Sequence, residues 1–148
     1  MKTGEHTETR GEAPKRRRAA RRARTIGDVM TPQPFTIARD ETLETAHAMM
    51  REHRLHHLPV LERGQLVGIL SIRDLYFIET IAGVDVEHDR IDDAMTPDTY
   101  AVSPGTPIEV VARVMAERRI GSAVVIERDR VVGIFTSTDA LRVLGGDA

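Results

Sequence analysis

The chain has 148 residues, 41% hydrophobic and 30% charged, which suits one compact domain or two very small ones and suffices to bury a core without covalent staples. It has no cysteine, which excludes disulfides, thiolate zinc sites, iron–sulfur clusters and cysteine nucleophiles. Three Phe, two Tyr and no Trp offer no stacking platform for single-stranded nucleic acid.

The net charge of −2 hides an asymmetry. Residues 1–24 hold nine Lys or Arg against three Glu, +6, and the remaining 124 residues hold twelve Arg against twenty acids, −8. The positive end culminates in Pro14-Lys15-Arg16-Arg17-Arg18-Ala19-Ala20-Arg21-Arg22-Ala23-Arg24. Arg and Ala favour helix, but like charges four apart (Arg17 with Arg21, Arg18 with Arg22) oppose it in isolation. The expectation is a solvated arm, or one docked on the acidic body, able to neutralise phosphates of nucleic acid, an anionic lipid surface or an acidic protein. No apolar run approaches the ~18 residues of a spanning helix, and the polar start lacks a signal peptide's apolar centre. The expected location is cytoplasmic.

Beyond the arm, Val29-Met30-Thr31-Pro32 is echoed by Ala94-Met95-Thr96-Pro97, an offset of 65 that persists without a gap. From Ile26/Ile91 to Leu75/Ala140 there are 50 paired positions, 16 of them identical, including Met50/Met115, Arg54/Arg119, Gly68/Gly133 and Asp74/Asp139. The division expected is an arm over 1–24, a first repeat over 25–82, a connector over 83–90 and a second repeat over 91–148.

Each repeat reads alike in chain order. Residues 35–38 and 100–103 form short extended runs. A helix follows, with Asp40 as N-cap in the first repeat and Thr106 before Pro107 in the second. Leu43, Ala46 and Met50, and equally Ile108, Val111 and Met115, make one apolar stripe. Strands at 58–61 and 123–126 turn through Glu62-Arg63-Gly64-Gln65 and Glu127-Arg128-Asp129-Arg130 into strands at 66–70 and 131–135. A last helix opens near Ser71 (over 72–82) or Thr136. A unit of about 60 residues is marginal alone, so the halves are expected to pack together.

The pieces Val29-Met30-Thr31-Pro32, His56-His57-Leu58-Pro59-Val60 and Gly68-Ile69-Leu70-Ser71-Ile72-Arg73-Asp74, with their second-half counterparts ending in Gly133-Ile134-Phe135-Thr136-Ser137-Thr138-Asp139, resemble a tandem pair of cystathionine β-synthase (CBS) domains, a Bateman module, over residues 25–145. The resemblance implies an α/β (α+β) fold of two repeats related by a pseudo-two-fold, each a mixed sheet of about three strands packed by two helices. It implies a stand-alone regulatory module rather than an enzyme. Such a module binds an adenine nucleotide (AMP, ADP or ATP) between repeats, associates as a homodimer and signals to a regulated protein, here unknown. No cofactor is required. The alternative is a nucleic-acid-associated protein that uses Lys15 to Arg24.

Ser71-Ile-Arg-Asp74 and Thr136-Ser-Thr-Asp139 carry the most chemistry. A hydroxyl three residues before an acid, after a buried strand, opens a helix whose free N–H groups favour phosphate. The same spacing is a capping box, and both readings can hold at once. The resemblance implies that Ser71 and Thr136 contact phosphate and that Asp74 and Asp139 accept from ribose hydroxyls, as an acceptor-only carboxylate can. It also places His56, His57 and Arg73 near phosphate in the first half, where the second has Gly121, Ser122 and Thr138, and Thr36, Ile37, Val102 and Ser103 beside the adenine. Strand core explains Ile37 and Val102 equally well, and a strand edge could explain the histidines. A phosphate contact by His56 or His57 would strengthen on acidification. His53, His56 and His57 make a poor metal set, because neighbours on a strand point apart. No nucleophile elbow surrounds Ser71, which excludes a hydrolytic triad.

Overall fold

A computed structural model describes residues 24–146; all of the basic arm except Arg24 lies outside the described residues. The strands are β1 (Thr31–Pro32), β2 (Ile37–Ala38), β3 (His57–Glu62), β4 (Gln65–Ser71), β5 (Ala101–Val102), β6 (Ser122–Glu127) and β7 (Arg130–Thr136). The helices are α1 (Ile26–Val29), α2 (Leu43–His53), α3 (Ile72–Glu79), α4 (Ile108–Arg118) and α5 (Ser137–Leu144), with a 3-10 turn at Ile91–Asp93. They form two small mixed sheets, β2-β3-β4 and β1-β7-β6-β5. In each, a parallel pair (β2 with β3, β5 with β6) continues into an antiparallel hairpin (β3 with β4, β6 with β7).

The hairpins turn where expected. Arg63 and Gly64, then Arg128 and Asp129, take φ of 51, 80, 51 and 61°, the left-handed pair that a tight hairpin requires. The helix starts differ from expectation. Thr42, not Asp40, caps α2, its hydroxyl accepting from the Thr45 N–H at 3.2 Å. Pro107 itself occupies the cap position of α4 and supplies no side-chain bond. Helix α3 ends at Glu79, short of residue 82.

The packing units are not the sequence repeats. Strand β1 adds to β7 of the second half, pairing Thr31 with Ile134 and Pro32 with Gly133. Thr96 bridges Ile69 of the first half in the same way. Ile26 is fully buried with Val111, Met115, Ala123, Val125 and Phe135; Ile91 is fully buried with Leu43, Met50, Leu58, Val60 and Leu70. The segment that begins each repeat therefore completes the other half's core. The exchange extends to the helix starts: the Arg24 carbonyl accepts from the Ile108 N–H (3.1 Å) and the Asp89 carbonyl from the Leu43 N–H (3.0 Å). Asp89 and Arg90, inside the expected connector, thus serve the first half.

The exchange also explains two motifs that the repeats share. A Cβ on Gly68 would lie 2.7 Å from the Met95 sulfur, and one on Gly133 would strike the Met30 sulfur. Each Met-Thr-Pro segment seats its methionine on the glycine of the opposite sheet. Among the described residues no helix is long and apolar enough to cross a membrane.

Candidate functional site

Ser71 ends β4 and Thr136 ends β7, strands that meet across the junction of the halves, so helices α3 and α5 both start there. Both starts are complete capping boxes. At Ser71 the hydroxyl accepts from the Asp74 N–H and Asp74 Oδ2 accepts from the Ser71 N–H, each at 3.0 Å. At Thr136 the hydroxyl accepts from the Asp139 N–H (3.3 Å) and Asp139 Oδ2 accepts from the Thr136 N–H (2.9 Å).

Between the halves lies a cavity of about 1080 Å³, large enough for a nucleotide. It brings together seven of the expected residues: His56, His57, Ser71, Arg73, Asp74, Thr136 and Asp139. It does not take in Thr36, Ile37, Val102 or Ser103. Ile37 is buried in the first core and Val102 packs against the second, while the Ser103 hydroxyl turns to Thr106 at 3.2 Å. Their strands β2 and β5 stand on the far side of β3 and β6 from the junction strands, and that order was invisible in the local pattern.

Several lining residues escaped the sequence reading. Arg54 and Arg119 close α2 and α4 in the left-handed conformation (φ 54 and 55°) and both line the cavity. Their identity across the 65-residue offset was the available signal. With Arg73, Arg118 and Arg142 they face Asp74, Asp98 and Asp139. Five cations against three anions make a positive cleft in a body of net −8, and a cleft of one sign concentrates the opposite charge. Arg118 also lies over the Tyr100 ring, 5.2 Å from its centroid.

His57 leans across the junction, its Nε2 3.1 Å from where a Cβ of Gly121 would stand; a side chain there would displace the ring. Burial, with His56 adding, pushes its imidazole below the ordinary value of 6.5. Acidification therefore charges this ring less readily than a free imidazole. Its Nδ1 and the Thr99 hydroxyl are the two buried side-chain polar atoms without a partner among the described residues, and both residues line the cavity. Orphaned polar atoms are costly. The three histidines do not converge: His53 stacks on Phe35 with centroids 3.9 Å apart. The ligand-type atoms of Asp85, Glu87 and His88 do gather, but on the surface, where Asp85 already bonds His88 at 2.7 Å.

The CBS domain pattern matches residues 26–78 and again 91–146. The CBS domain-containing protein YhcV of Bacillus subtilis is 27% identical over 114 residues, 77% of this chain and 81% of its own length. Homoserine O-acetyltransferase of Methanococcoides burtonii is 34% identical over 122 residues, 81% of this chain but 24% of the enzyme, so the likeness is confined to a minor part of that protein. The structure is similar to the CBS domain pair of protein MJ0100 in complex with 5′-methylthioadenosine and S-adenosyl-L-methionine (TM-score 0.74, 26% identity, covering 85% of this chain and 99% of that one). It is similar also to the cytosolic domain of the Mg2+ channel MgtE in complex with ATP (TM-score 0.67, 30% identity, 81% and 48%). With two matched repeats spanning most of its length, this chain belongs to the CBS domain family.

Proposed function

We propose that the chain is a regulatory module that binds an adenine nucleotide in the cavity between its halves and passes the occupancy to a partner protein as a change in how the halves pack. The observation that carries this reading is the cavity itself. It joins two capped helix starts, two acids suited to a ribose diol and a ring of arginines suited to phosphate. The two helix starts supply Ser71 and Thr136 toward the phosphates and the carboxylates of Asp74 and Asp139 as candidate diol acceptors, with Arg73, His56 and His57 adding to phosphate capture on the first side. The adenosine-containing ligands named with MJ0100 and MgtE support the ligand class. The reading is regulatory and not catalytic: the Ser71 and Thr136 hydroxyls at the helix starts serve as caps. The location is cytoplasmic in this reading, where adenine nucleotides are abundant.

The module is a homodimer in the same reading. Tyr76 and Phe77 on α3, Ile81 beyond it, and Leu141 and Leu144 on α5 are 48 to 84% exposed, and Tyr76 and Leu141 are repeat-equivalent. Large apolar side chains exposed at equivalent places in both halves suit an association surface. Sedimentation at micromolar concentration is expected to give twice the chain mass.

Thermal unfolding with AMP, ADP, ATP and S-adenosylmethionine tests the ligand reading. A ligand at 100 times its Kd adds about 2.7 kcal/mol, so at least one is expected to raise the melting temperature by several degrees in a saturable way. Melting curves unmoved by all four contradict it.

A further inference from the structure

The two acids are repeat-equivalent, yet they are not equally available. An ionised carboxylate offers about four lone-pair sites. At Asp139 four donors use them. Oδ2 takes the Thr136 N–H (2.9 Å) and the Thr136 hydroxyl (3.1 Å); Oδ1 takes the Thr31 hydroxyl (3.3 Å) and Arg142 Nη1 (3.5 Å). Its side chain is 8% exposed. At Asp74 a single donor is present among the described residues, the Ser71 N–H on Oδ2, and the residue is only partly buried. Its Oδ1 is uncommitted.

The difference is written in the sequence. Arg142, one helical turn after Asp139, corresponds to Phe77, which is 70% exposed and has nothing to donate. Thr31 crosses over on β1 and reaches Asp139. Thr96 crosses in the mirror direction, but only its backbone bonds, to Ile69.

The cavity has the same bias. On the first side its wall is built by Thr96, Asp98, Thr99 and Tyr100; of the corresponding segment on the second side, only Thr31 lines it. Asp139 and Arg142 meanwhile form a partition, lining both this cavity and a hollow of about 260 Å³ behind it, next to residues 28–32. A diol arriving at Asp139 must displace two donors that are already seated. One arriving at Asp74 displaces none.

We infer that each chain takes one adenine nucleotide, with its ribose on Asp74, and that Thr31 and Arg142 act as a latch that keeps the Asp139 side closed. This rests on the nucleotide reading given above and deepens it. Thr31 and Arg142 are positioning residues, acting through the carboxylate they occupy.

Calorimetric titration of AMP into the full chain, and into the double variant Thr31→Val/Arg142→Ala, tests it. The wild type is expected to bind one AMP per chain. The variant, checked for wild-type circular dichroism, is expected to gain a second, weaker site and bind two. A wild type that binds two overturns the inference and leaves the nucleotide reading standing. A variant that stays at one overturns the latch, because freeing the carboxylate then opens nothing. A wild type that binds no AMP, ADP or ATP overturns the reading and the inference together.

Discussion

Arg39 and Pro104 stand at the same place in the two repeats, and each meets the segment that crosses over from the other half. In the first half the contact is ionic: Arg39 Nε lies 2.7 Å from Asp92 Oδ1 and its Nη1 3.0 Å from Glu62. In the second it is backbone on backbone. The Gly27 N–H donates to the Pro104 carbonyl at 2.9 Å, and a Cβ at Gly27 would press on that oxygen at 3.1 Å. Gly27 is the counterpart of Asp92. Duplication preserved the topology of the crossing, which depends on apolar periodicity, and left the polar contacts at each crossing free to diverge. The same divergence separates Asp74 from Asp139, one open and one enclosed.

The largest effect expected from breaking this comparison lies at Ile26. The side chain is fully buried in the second core, so Ile26→Ala should cost about 2–5 kcal/mol. Hydrogen exchange should locate the loss of protection in β6 and β7, 96 residues and more away in sequence. Loss confined to β3 and β4 would mean that the segment packs within its own repeat.

Gly68→Ala and Gly133→Ala come next. Overpacking a tight contact costs about 1–3 kcal/mol. Gly68→Ala should be the dearer of the two, because its Cβ also meets the Thr96 carbonyl at 3.0 Å, whereas the three atoms nearest a Cβ at Gly133 all belong to the flexible Met30 side chain. Urea denaturation ranks them, and the reverse order would show that the crossing at β1 is the more rigid.

His57 sets a pH dependence that the second half lacks, since Ser122 stands at its counterpart. Its folded pKa is below the ordinary value, so the stability it accounts for is whole above about 6.5 and lost as the pH falls through the lower folded value. Wild-type stability should decline on acidification through this range, and His57→Gln should flatten that decline. An unchanged slope would place the sensitive group elsewhere. The smallest effect is expected from Arg39→Ala, a surface ion pair: a slightly lower melting temperature at low salt, and no difference in 1 M salt, where the screening length is about 3 Å.

Much of this was legible in the residues. The offset of 65 carried the two-repeat fold, and the hydroxyl-to-acid spacing carried Ser71, Asp74, Thr136 and Asp139 into the cavity. The exchange was not legible: an apolar Ile26 announces that it is buried but not in whose core, and two residues of β1 are too short to show a strand pattern. Arg54 and Arg119 were missed because a basic residue ending a helix reads as a solvated cap. Asp40 and Thr42 both suit an N-cap, and only the bridge from Thr42 to Arg90 chooses between them.

The central claim is that Asp74 is the open acceptor of a nucleotide site and Asp139 an enclosed structural acid. Competition between AMP and a fluorescent adenine nucleotide, measured on wild type, Asp74→Ala and Asp139→Ala, tests it directly. Removing Asp74 should weaken AMP more than tenfold, as the loss of charged hydrogen bonds of about 1.5–3 kcal/mol each requires, with a modest loss of the cap, about 1 kcal/mol. Removing Asp139 should lower the melting temperature further while AMP binds at the folded chain's ordinary affinity. Equal AMP affinity in the wild type and Asp74→Ala, or a tenfold loss in a folded Asp139→Ala instead, would contradict the account.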